Sequence, residues 1–353
     1  MTERAKARRR LGAAFLGMGL WLSLSASAAA ASLGMAVLDG PKDAGPITVF
    51  YPSAAPGAPW ERGPFTLDVA LNAAPAPGNR RLIVLSHGSG GSPWPFADLA
   101  HTLVNAGFVV AVPEHAGDNY HDQKWQGPES WKRRPAEVSA AIDAVKADAR
   151  FGPLLDVDKV GVYGTSAGGL TALTMGGARW SPANFKRHCL DHAAEDFPAC
   201  AGLILTLRGN MLDPLKLSLV RLVHRLRFSD ETLYGPTDPR VVAVVASVPM
   251  AAPIDMSSMA HPARAVGLVE ARQDRWLAPR FHIDRVRAAC PSCTTLADLP
   301  TAGHGSLFSP WPASLAERLT PLLVDPPGFS RAELPAVYAA IAAFFTRTLA
   351  KGS

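Results

Sequence analysis

Short apolar runs alternate with amphipathic segments through most of this 353-residue chain. The runs that predict buried strands are 81–86, 107–112, 160–163, 241–247, 265–269 and 294–297. Phe96–Ala106 and Pro135–Ala149 have the apolar spacing of helices, and the second has proline at its start. This alternation predicts an α/β fold with a mostly parallel central sheet and helices on both faces. Two earlier segments, 46–51 and 65–71, predict antiparallel strands joined by a turn rich in Pro, Gly and Ala.

A segment of different character, about 179–236, separates the 160–163 strand and its following helix from the strand at 241–247. We expect it to be a small helical cap inserted into the main fold. One of its helices has an apolar face made of Leu215, Leu219, Leu222, Val223 and Leu226, with Lys216, Arg221, Arg225 and Arg227 mostly elsewhere. This face either packs on the core or forms a lid that faces lipid or acyl chains, with a basic rim.

Directly after the apolar run Val160–Tyr163 comes the pentapeptide Gly164-Thr165-Ser166-Ala167-Gly168. A serine between two glycines, where a buried strand turns into a helix, is typical of the nucleophile elbow of an α/β-hydrolase. The small residues let strand and helix pass closely, and the turn lifts the serine hydroxyl above the sheet. The sequence therefore predicts that Ser166 is a nucleophile, with the next backbone N–H free at a helix N-terminus.

A glycine-rich segment, His87-Gly88-Ser89-Gly90-Gly91, follows the predicted strand 81–86. Glycines after a strand allow backbone N–H groups to turn inward together, which suits a developing oxyanion. The other interpretation is an ordinary strand-to-helix loop. His87 is better placed to support this loop than to act as a base.

Two downstream residues complete the order Ser, Asp, His that distinguishes α/β-hydrolases from other serine hydrolase folds. Asp274 follows the apolar run 265–269, and His304 lies between glycines after the strand-like segment 294–297. Asp284 and Glu270 are the alternative acids. Asp284 lies in a helix-like stretch, whereas Glu270 lies closer to the strand.

Residues 1–31 have the features of a signal peptide. Arg4, Lys6 and Arg8–Arg10 precede an apolar region at 11–24, and Ala28–Ala30 offers a cleavage site. An uncleaved anchor is the alternative, and the arginines leave a twin-arginine signal open. We expect residues 32–353 to form the mature α/β-hydrolase domain, in the periplasm or secreted.

Net charge changes with this leader. The chain carries a formal +5, and removing the leader's five cations and one acid leaves +1. The basic character belongs mostly to the leader, so we expect no nucleic-acid partner.

Export also bears on the four cysteines. An oxidising compartment favours two local disulfides, Cys189 with Cys200 and Cys290 with Cys293. The second pair also resembles a redox Cys-x-x-Cys, but it leads into a strand, not a helix. No Cys or His at matched spacing indicates zinc. The segment Glu114–Asp122 is dense in metal-ligand types, and we expect it to be solvated and hydrogen-bonded, with no metal bound.

The chain resembles bacterial proteins described as predicted dienelactone hydrolases, which are related to platelet-activating-factor acetylhydrolases. The resemblance lies in 86–119, 158–169, 325–329 and the closing helix with Phe344-Phe345, and it covers most of 45–348. It implies Ser166 as nucleophile, Asp274 as acid and His304 as base, with the N–H groups of Ser89 and Ala167 as the oxyanion hole. Thr165 stands where a histidine is usual, and Gly305-Ser306 replaces an acidic or aromatic neighbour.

These features together predict an exported serine hydrolase that cleaves carboxylic esters through an acyl-enzyme. Such a scaffold needs no cofactor, and a membrane is expected only as a source of substrate. Dienelactone hydrolases proper use a cysteine nucleophile, so the resemblance does not name the substrate. Amidase, lactonase or polyester hydrolase activity uses the same triad, and a non-catalytic binding protein is the alternative of another class.

Overall fold

The apolar runs become the strands of a ten-stranded sheet in the computed structural model, which describes residues 32–41, 44–202, 204–235, 238–312, 314–315 and 321–350. The predicted leader, 1–31, lies outside the described residues. The strands are β1 Ser32–Leu38, β2 Ile47–Ser53, β3 Ala58–Arg62, β4 Phe65–Leu71, β5 Leu82–Ser86, β6 Val109–Pro113, β7 Val160–Thr165, β9 Val241–Ser247, β11 Ala265–Ala271 and β12 Thr294–Leu299. Two short strands, β8 (Arg179–Trp180) and β10 (Ile254–Asp255), pair separately.

The order across the large sheet is β12-β11-β9-β7-β5-β6-β2-β1-β4-β3. Neighbours from β12 to β6 are parallel, whereas β2 is antiparallel to both β6 and β1. The carboxyl ends of β5, β7, β9, β11 and β12 therefore meet at one edge of the sheet. Topology and layering are those of the α/β-hydrolase fold, as the alternation predicts.

Helices cover both faces of the sheet. They are α1 Ala97–Asn105, α2 Pro128–Ala147, α3 Ala167–Gly176, α4 Pro182–His192, α5 Phe197–Ala201, α6 Asp213–Arg227, α7 Ile283–Ala289 and α8 Leu334–Thr348. Leu82 and Val84 of β5 pack in a core layer with α2 and α3, and Ile83 and Leu85 pack in the opposite layer with α1 and α8. The strand alternation thus distributes one apolar run between two cores.

Strands β2 and β4 run in opposite directions, as predicted, but their pairing and their connection differ from a simple hairpin. β2 and β4 do not pair with each other, because β1 lies between them and β3 covers the outer side of β4. The Pro- and Gly-rich segment between β2 and β4, predicted as a turn, includes β3.

The start of α2 was also predicted wrongly, because the helix begins seven residues earlier, at Pro128, and contains Pro135 in its interior. Tertiary packing decides the difference. Trp131, which precedes the predicted start, is buried with its ring 5.8 Å from that of Trp180 and 5.3 Å from that of Phe185.

The insertion contains α4, α5 and α6. Of the two interpretations of the apolar face of α6, packing on the core is wrong. Leu215, Leu219, Leu222, Val223 and Leu226 are 39–72% exposed, and the buried residues of the helix are Val220 and His224. Both predicted disulfides are confirmed: Cys189–Cys200 joins α4 to α5, and Cys290–Cys293 lies between α7 and β12. Among the described residues, no helix has the length and apolar character needed to cross a membrane.

Candidate active site

Ser166 occupies a strained turn between β7 and α3, with φ 56° and ψ −120°. Non-glycine residues rarely adopt a positive φ, and they do so at functional sites when the surroundings impose it. The flanking positions must be glycine because there is no room for a Cβ atom at either one. A Cβ at Gly164 would lie 1.9 Å from the carbonyl oxygen of Gly168, and one at Gly168 equally close to that of Ser86. The elbow therefore has the geometry that the pentapeptide predicts, and Ser166 is partly exposed.

Backbone hydrogen bonds join the loops that follow neighbouring strands. The Ser166 N–H donates to Ser247 O at 3.2 Å, and the Met250 N–H donates to Ser166 O at 3.0 Å. Farther along the edge, the Val248 N–H donates to Val269 O at 3.2 Å and the Gln273 N–H to Ala302 O at 2.9 Å. The chain segments that carry Ser166, Asp274 and His304 are thus tied together at the carboxyl edge of the sheet.

The predicted acid and base form a buried pair. His304 Nδ1 lies 2.7 Å from Asp274 Oδ2, and the other carboxylate oxygen accepts the N–H groups of Trp276 at 2.8 Å and Leu277 at 2.9 Å. A carboxylate oxygen accepts in such a contact, so the shared proton belongs on Nδ1 and Nε2 is left as an acceptor. Within the described residues, Ser166 Oγ makes no hydrogen bond to His304, and catalytic contacts of this kind often tighten only when substrate binds.

Neither alternative acid contacts His304. Asp284 binds Arg272 and Arg287, at 2.6 and 3.3 Å. Glu270 is buried against Arg272 at 2.6 Å and accepts the Thr295 hydroxyl. Both therefore serve the outer edge of the sheet, at β11, β12 and α7.

The glycine-rich loop after β5 lies beside the elbow. A Cβ added at Gly88 would stand 3.2 Å from Ser166 Cβ and 3.7 Å from Ser166 Oγ. Among the described residues, the N–H groups of Ser89 and Ala167 have no acceptor, and that of Ala167 is one of the free donors at the start of α3. The residues named by the resemblance as an oxyanion hole thus keep unpaired donors.

A buried arginine orients this loop from behind. Arg134 donates to the carbonyl oxygens of His87 and Gly88 and pairs with Asp118 at 2.8 Å. Asp118 in turn accepts the Ser89 hydroxyl at 2.5 Å and the Gly90 N–H at 2.9 Å. In a trans peptide the C=O and N–H point in opposite directions. Holding Gly88 O toward Arg134 therefore turns the N–H of Ser89 away from it.

A second serine, histidine and carboxylate set lies beneath the loop, and sequence reasoning missed it. Ser86 Oγ is 2.7 Å from His115 Nε2, and His115 Nδ1 is 2.6 Å from Glu137 Oε2. The backbone N–H of His115 donates to His87 Nε2 at 3.1 Å, so the Nδ1–H of His87 donates to Gly88 O at 2.7 Å. Burial lowers the pKa of both histidines well below the usual value, which keeps both rings neutral.

The loop that was expected to be solvated is largely buried. Asp118 and Asn119 are enclosed, and Glu114 has its carboxylate 3.1 Å from His121 Nε2. Its hydrogen bonds were expected, but its burial was not visible from composition. Among the described residues, no three side chains of this loop form a cluster of metal-ligand atoms.

Another buried cluster ties the insertion to the core. Asp196 Oδ2 accepts from His188 Nε2 at 2.8 Å and from His282 Nε2 at 3.0 Å. Burial alone would raise the pKa of Asp196, but the two histidine hydrogen bonds lower it to about 2. The three side chains have metal-ligand spacing. However, His282 Nδ1 accepts the N–H groups of Ala251 and Ala252, so its single proton must be on Nε2, where a metal would bind.

Residues 94–186 match the model of the prolyl oligopeptidase family, a segment that contains Ser166 but neither Asp274 nor His304. No curated protein gives a significant match. A ferulic acid esterase from Streptomyces cinnamoneus has a similar structure, with a TM-score of 0.54 and 20% sequence identity over 92% of each chain.

The family match and the structural match indicate the same fold. The chain has the α/β-hydrolase fold, and its 94–186 segment resembles a hydrolase family of that superfamily. At 20% identity, the structural similarity does not identify the substrate of this protein. The narrower resemblance to predicted dienelactone hydrolases stays a prediction.

Proposed function

We propose that this protein is a serine hydrolase that cleaves carboxylic esters through an acyl-enzyme. Ser166 is the nucleophile, His304 the general base and Asp274 the residue that holds the imidazole. The backbone N–H groups of Ser89 and Ala167 form the oxyanion hole. The observation that carries the proposal is the buried hydrogen bond between His304 Nδ1 and Asp274, because it leaves Nε2 free to accept a proton at the edge of the sheet where Ser166 is partly exposed.

The chemistry follows from these positions. His304 Nε2 accepts the hydroxyl proton while Ser166 Oγ attacks the ester carbonyl, and Asp274 stabilises the imidazolium that forms. The carbonyl oxygen becomes an oxyanion, which accepts hydrogen bonds from the unpaired N–H groups of Ser89 and Ala167. His304 then protonates the leaving alcohol, and water activated by the same imidazole releases the acid.

A fluorophosphonate probe tests this assignment. The probe should label Ser166 stoichiometrically, since an activated serine attacks phosphorus as it attacks a carbonyl. Ser166→Ala should abolish both labelling and turnover of p-nitrophenyl acetate with an unchanged melting temperature. Labelling of another serine, or full activity in the variant, would refute the proposal.

Amide cleavage is the second candidate, and the match of 94–186 to the prolyl oligopeptidase family favours it. The same triad serves both reactions, but an amide needs protonation of its nitrogen by His304 before it can leave. The ratio of kcat/KM for a p-nitrophenyl ester and the matched p-nitroanilide separates them. Comparable rates on both would favour the peptidase, and turnover of the ester alone the esterase.

We further propose that the protein works outside the cytoplasm, in the periplasm or after secretion. The two disulfides support this location, since such bonds persist in oxidising compartments. Mass spectrometry of protein from the periplasmic fraction should find an N-terminus near residue 31 and both disulfides intact. A full-length, fully reduced cytoplasmic protein would contradict it.

A further inference from the structure

Helix α6 presents two apolar faces on opposite sides. Its inner face packs on the insertion, with the His224 ring 5.1 Å from Phe185 and 4.4 Å from Phe228, and with His224 Nε2 donating to Cys200 O at 2.9 Å. Its outer face is the row of exposed residues defined by Leu215, Leu219, Leu222, Val223 and Leu226. Since the inner face already anchors the helix, burial in the core does not explain the outer one.

The apolar surface extends past the start of the helix. Met211 is 95% exposed and Leu212 59% exposed, immediately before the first turn. This end is held firmly, because the Asp213 carboxylate accepts the N–H groups of Arg208, Gly209 and Asn210. A contiguous row of exposed leucines on a well-anchored helix is typical of an interaction surface.

Cations flank the outer face on both sides. At 100° per residue, Lys216 and Arg227 lie between the outer face and the inner one on one side, and Arg221 and Arg225 lie on the other. Asp213 is the helix's one acid, and it pairs with Lys216 at 2.8 Å. Within the described residues, no carboxylate pairs with the three arginines.

We propose that the outer face of α6 docks the protein on an anionic lipid surface. An apolar face bordered by cations inserts at the boundary of headgroups and acyl chains while its arginines contact phosphate. A second copy of this chain fits the surface less well, because a two-fold contact between α6 helices would bring the unpaired arginines of both copies together. The proposal does not depend on the reaction catalysed at Ser166.

Vesicle sedimentation tests this docking surface. The protein should bind phosphatidylcholine vesicles that contain phosphatidylglycerol, bind pure phosphatidylcholine vesicles weakly, and be released by salt. Arg225→Glu combined with Arg227→Glu should weaken binding to anionic vesicles by about 20-fold or more, at about fivefold for each lost cation. Leu222→Asn combined with Leu226→Asn should weaken it about tenfold or more.

Matched controls come from exposed residues elsewhere. Leu71 on β4 is 49% exposed, as Leu222 is, and Arg347 on α8 is exposed; Leu71→Asn and Arg347→Glu should leave vesicle binding unchanged. Turnover of a soluble ester or fluorophosphonate labelling shows that each variant is folded. All variants share one N-terminus, read by mass spectrometry, so residues 1–31 contribute equally if they are retained.

Three outcomes would overturn the proposal: no binding of the parent to anionic vesicles, equal loss in the control variants, or binding that the α6 variants do not change. A concentration-dependent dimer that Leu222→Asn dissociates would instead identify a second copy as the occupant.

Discussion

Two sets of serine, histidine and carboxylate lie close together in this protein, and they differ in the exposure of the serine: Ser86 is buried, whereas Ser166 is partly exposed. In the buried set, Ser86, His115 and Glu137 form a continuous line of hydrogen bonds. In the candidate catalytic set, His304 and Asp274 are bonded, and Ser166 stands on the elbow. By hydrogen bonds alone, the buried set resembles a catalytic triad more closely.

The two serines differ in backbone conformation and in solvent exposure. Ser86 ends an extended strand and is fully buried, whereas Ser166 has a positive φ, is partly exposed and precedes unpaired N–H groups. A nucleophile needs room for a carbonyl carbon and donors for the oxyanion, neither of which the surroundings of Ser86 offer. The buried set instead fixes His87, and through it the carbonyl of Gly88. Residue types and distances therefore identify a catalytic triad only when the serine is also accessible to substrate.

The largest difference in kcat should appear between variants of the two carboxylates, Asp274 and Glu137. Asp274→Asn should lower kcat by about 10⁴-fold, because the amide favours the wrong imidazole tautomer. Glu137→Gln should change kcat little and lower the melting temperature. Steady-state kinetics of both variants with p-nitrophenyl acetate, with Asp284→Asn as a surface control, checks this. Equal losses of kcat in the Asp274 and Glu137 variants would contradict the assignment of catalysis to only one of the two sets.

The loop that connects the two sets should respond to Arg134. Arg134→Lys keeps the charge but loses the forked donor, so the N–H of Ser89 is held less well and kcat should fall about 10- to 100-fold. KM should change little, since the loop acts on the transition state. The exposed neighbour gives the control Arg133→Lys, with activity unchanged. A rise in KM at constant kcat would argue against a positioning role.

Stability should fall in mild acid because His87 and His115 are kept neutral by burial. The unfolded chain binds protons below its histidine pKa of about 6.5 and the folded one does not, so stability is full above this pH and lost below it. Each histidine contributes up to about 1.4 kcal/mol per pH unit. Urea unfolding at pH 7.5 and pH 5.5 measures how much the free energy of unfolding changes with pH, and His115→Gln should reduce this change. A parent with equal stability at both values would contradict the neutral rings.

The smallest effect is expected at the buried serine. Ser86→Ala leaves His115 Nε2 without its donor and should cost about 1 kcal/mol of unfolding free energy. Fluorophosphonate labelling of Ser166 should proceed at nearly the parental rate. Loss of labelling here would give Ser86 a role in the chemistry that its burial argues against.

Local motifs predicted the turn at Ser166 and the pairing of Asp274 with His304 better than periodicity predicted the boundaries of helices. The elbow around Ser166 was predictable because glycine spacing and a buried strand determine it within a few residues. Asp274 and His304 were predictable from chain order. The start of α2 was not, since Trp131 becomes a core residue only when Trp180 and Phe185 pack on it.

The sequence by itself determined features that depend on nearby residues and on chain order: the alternating elements, the turn at Ser166 and two local disulfides. Only the tertiary structure decided which polar groups are buried together and which apolar face stays outside. Arg134, His115 and Glu137 meet the loop after β5 from distant positions, and the outer face of α6 is exposed because Val220 and His224 on the opposite side anchor the helix. Amphipathic spacing states that a face is apolar, but its contacts depend on where the rest of the chain lies.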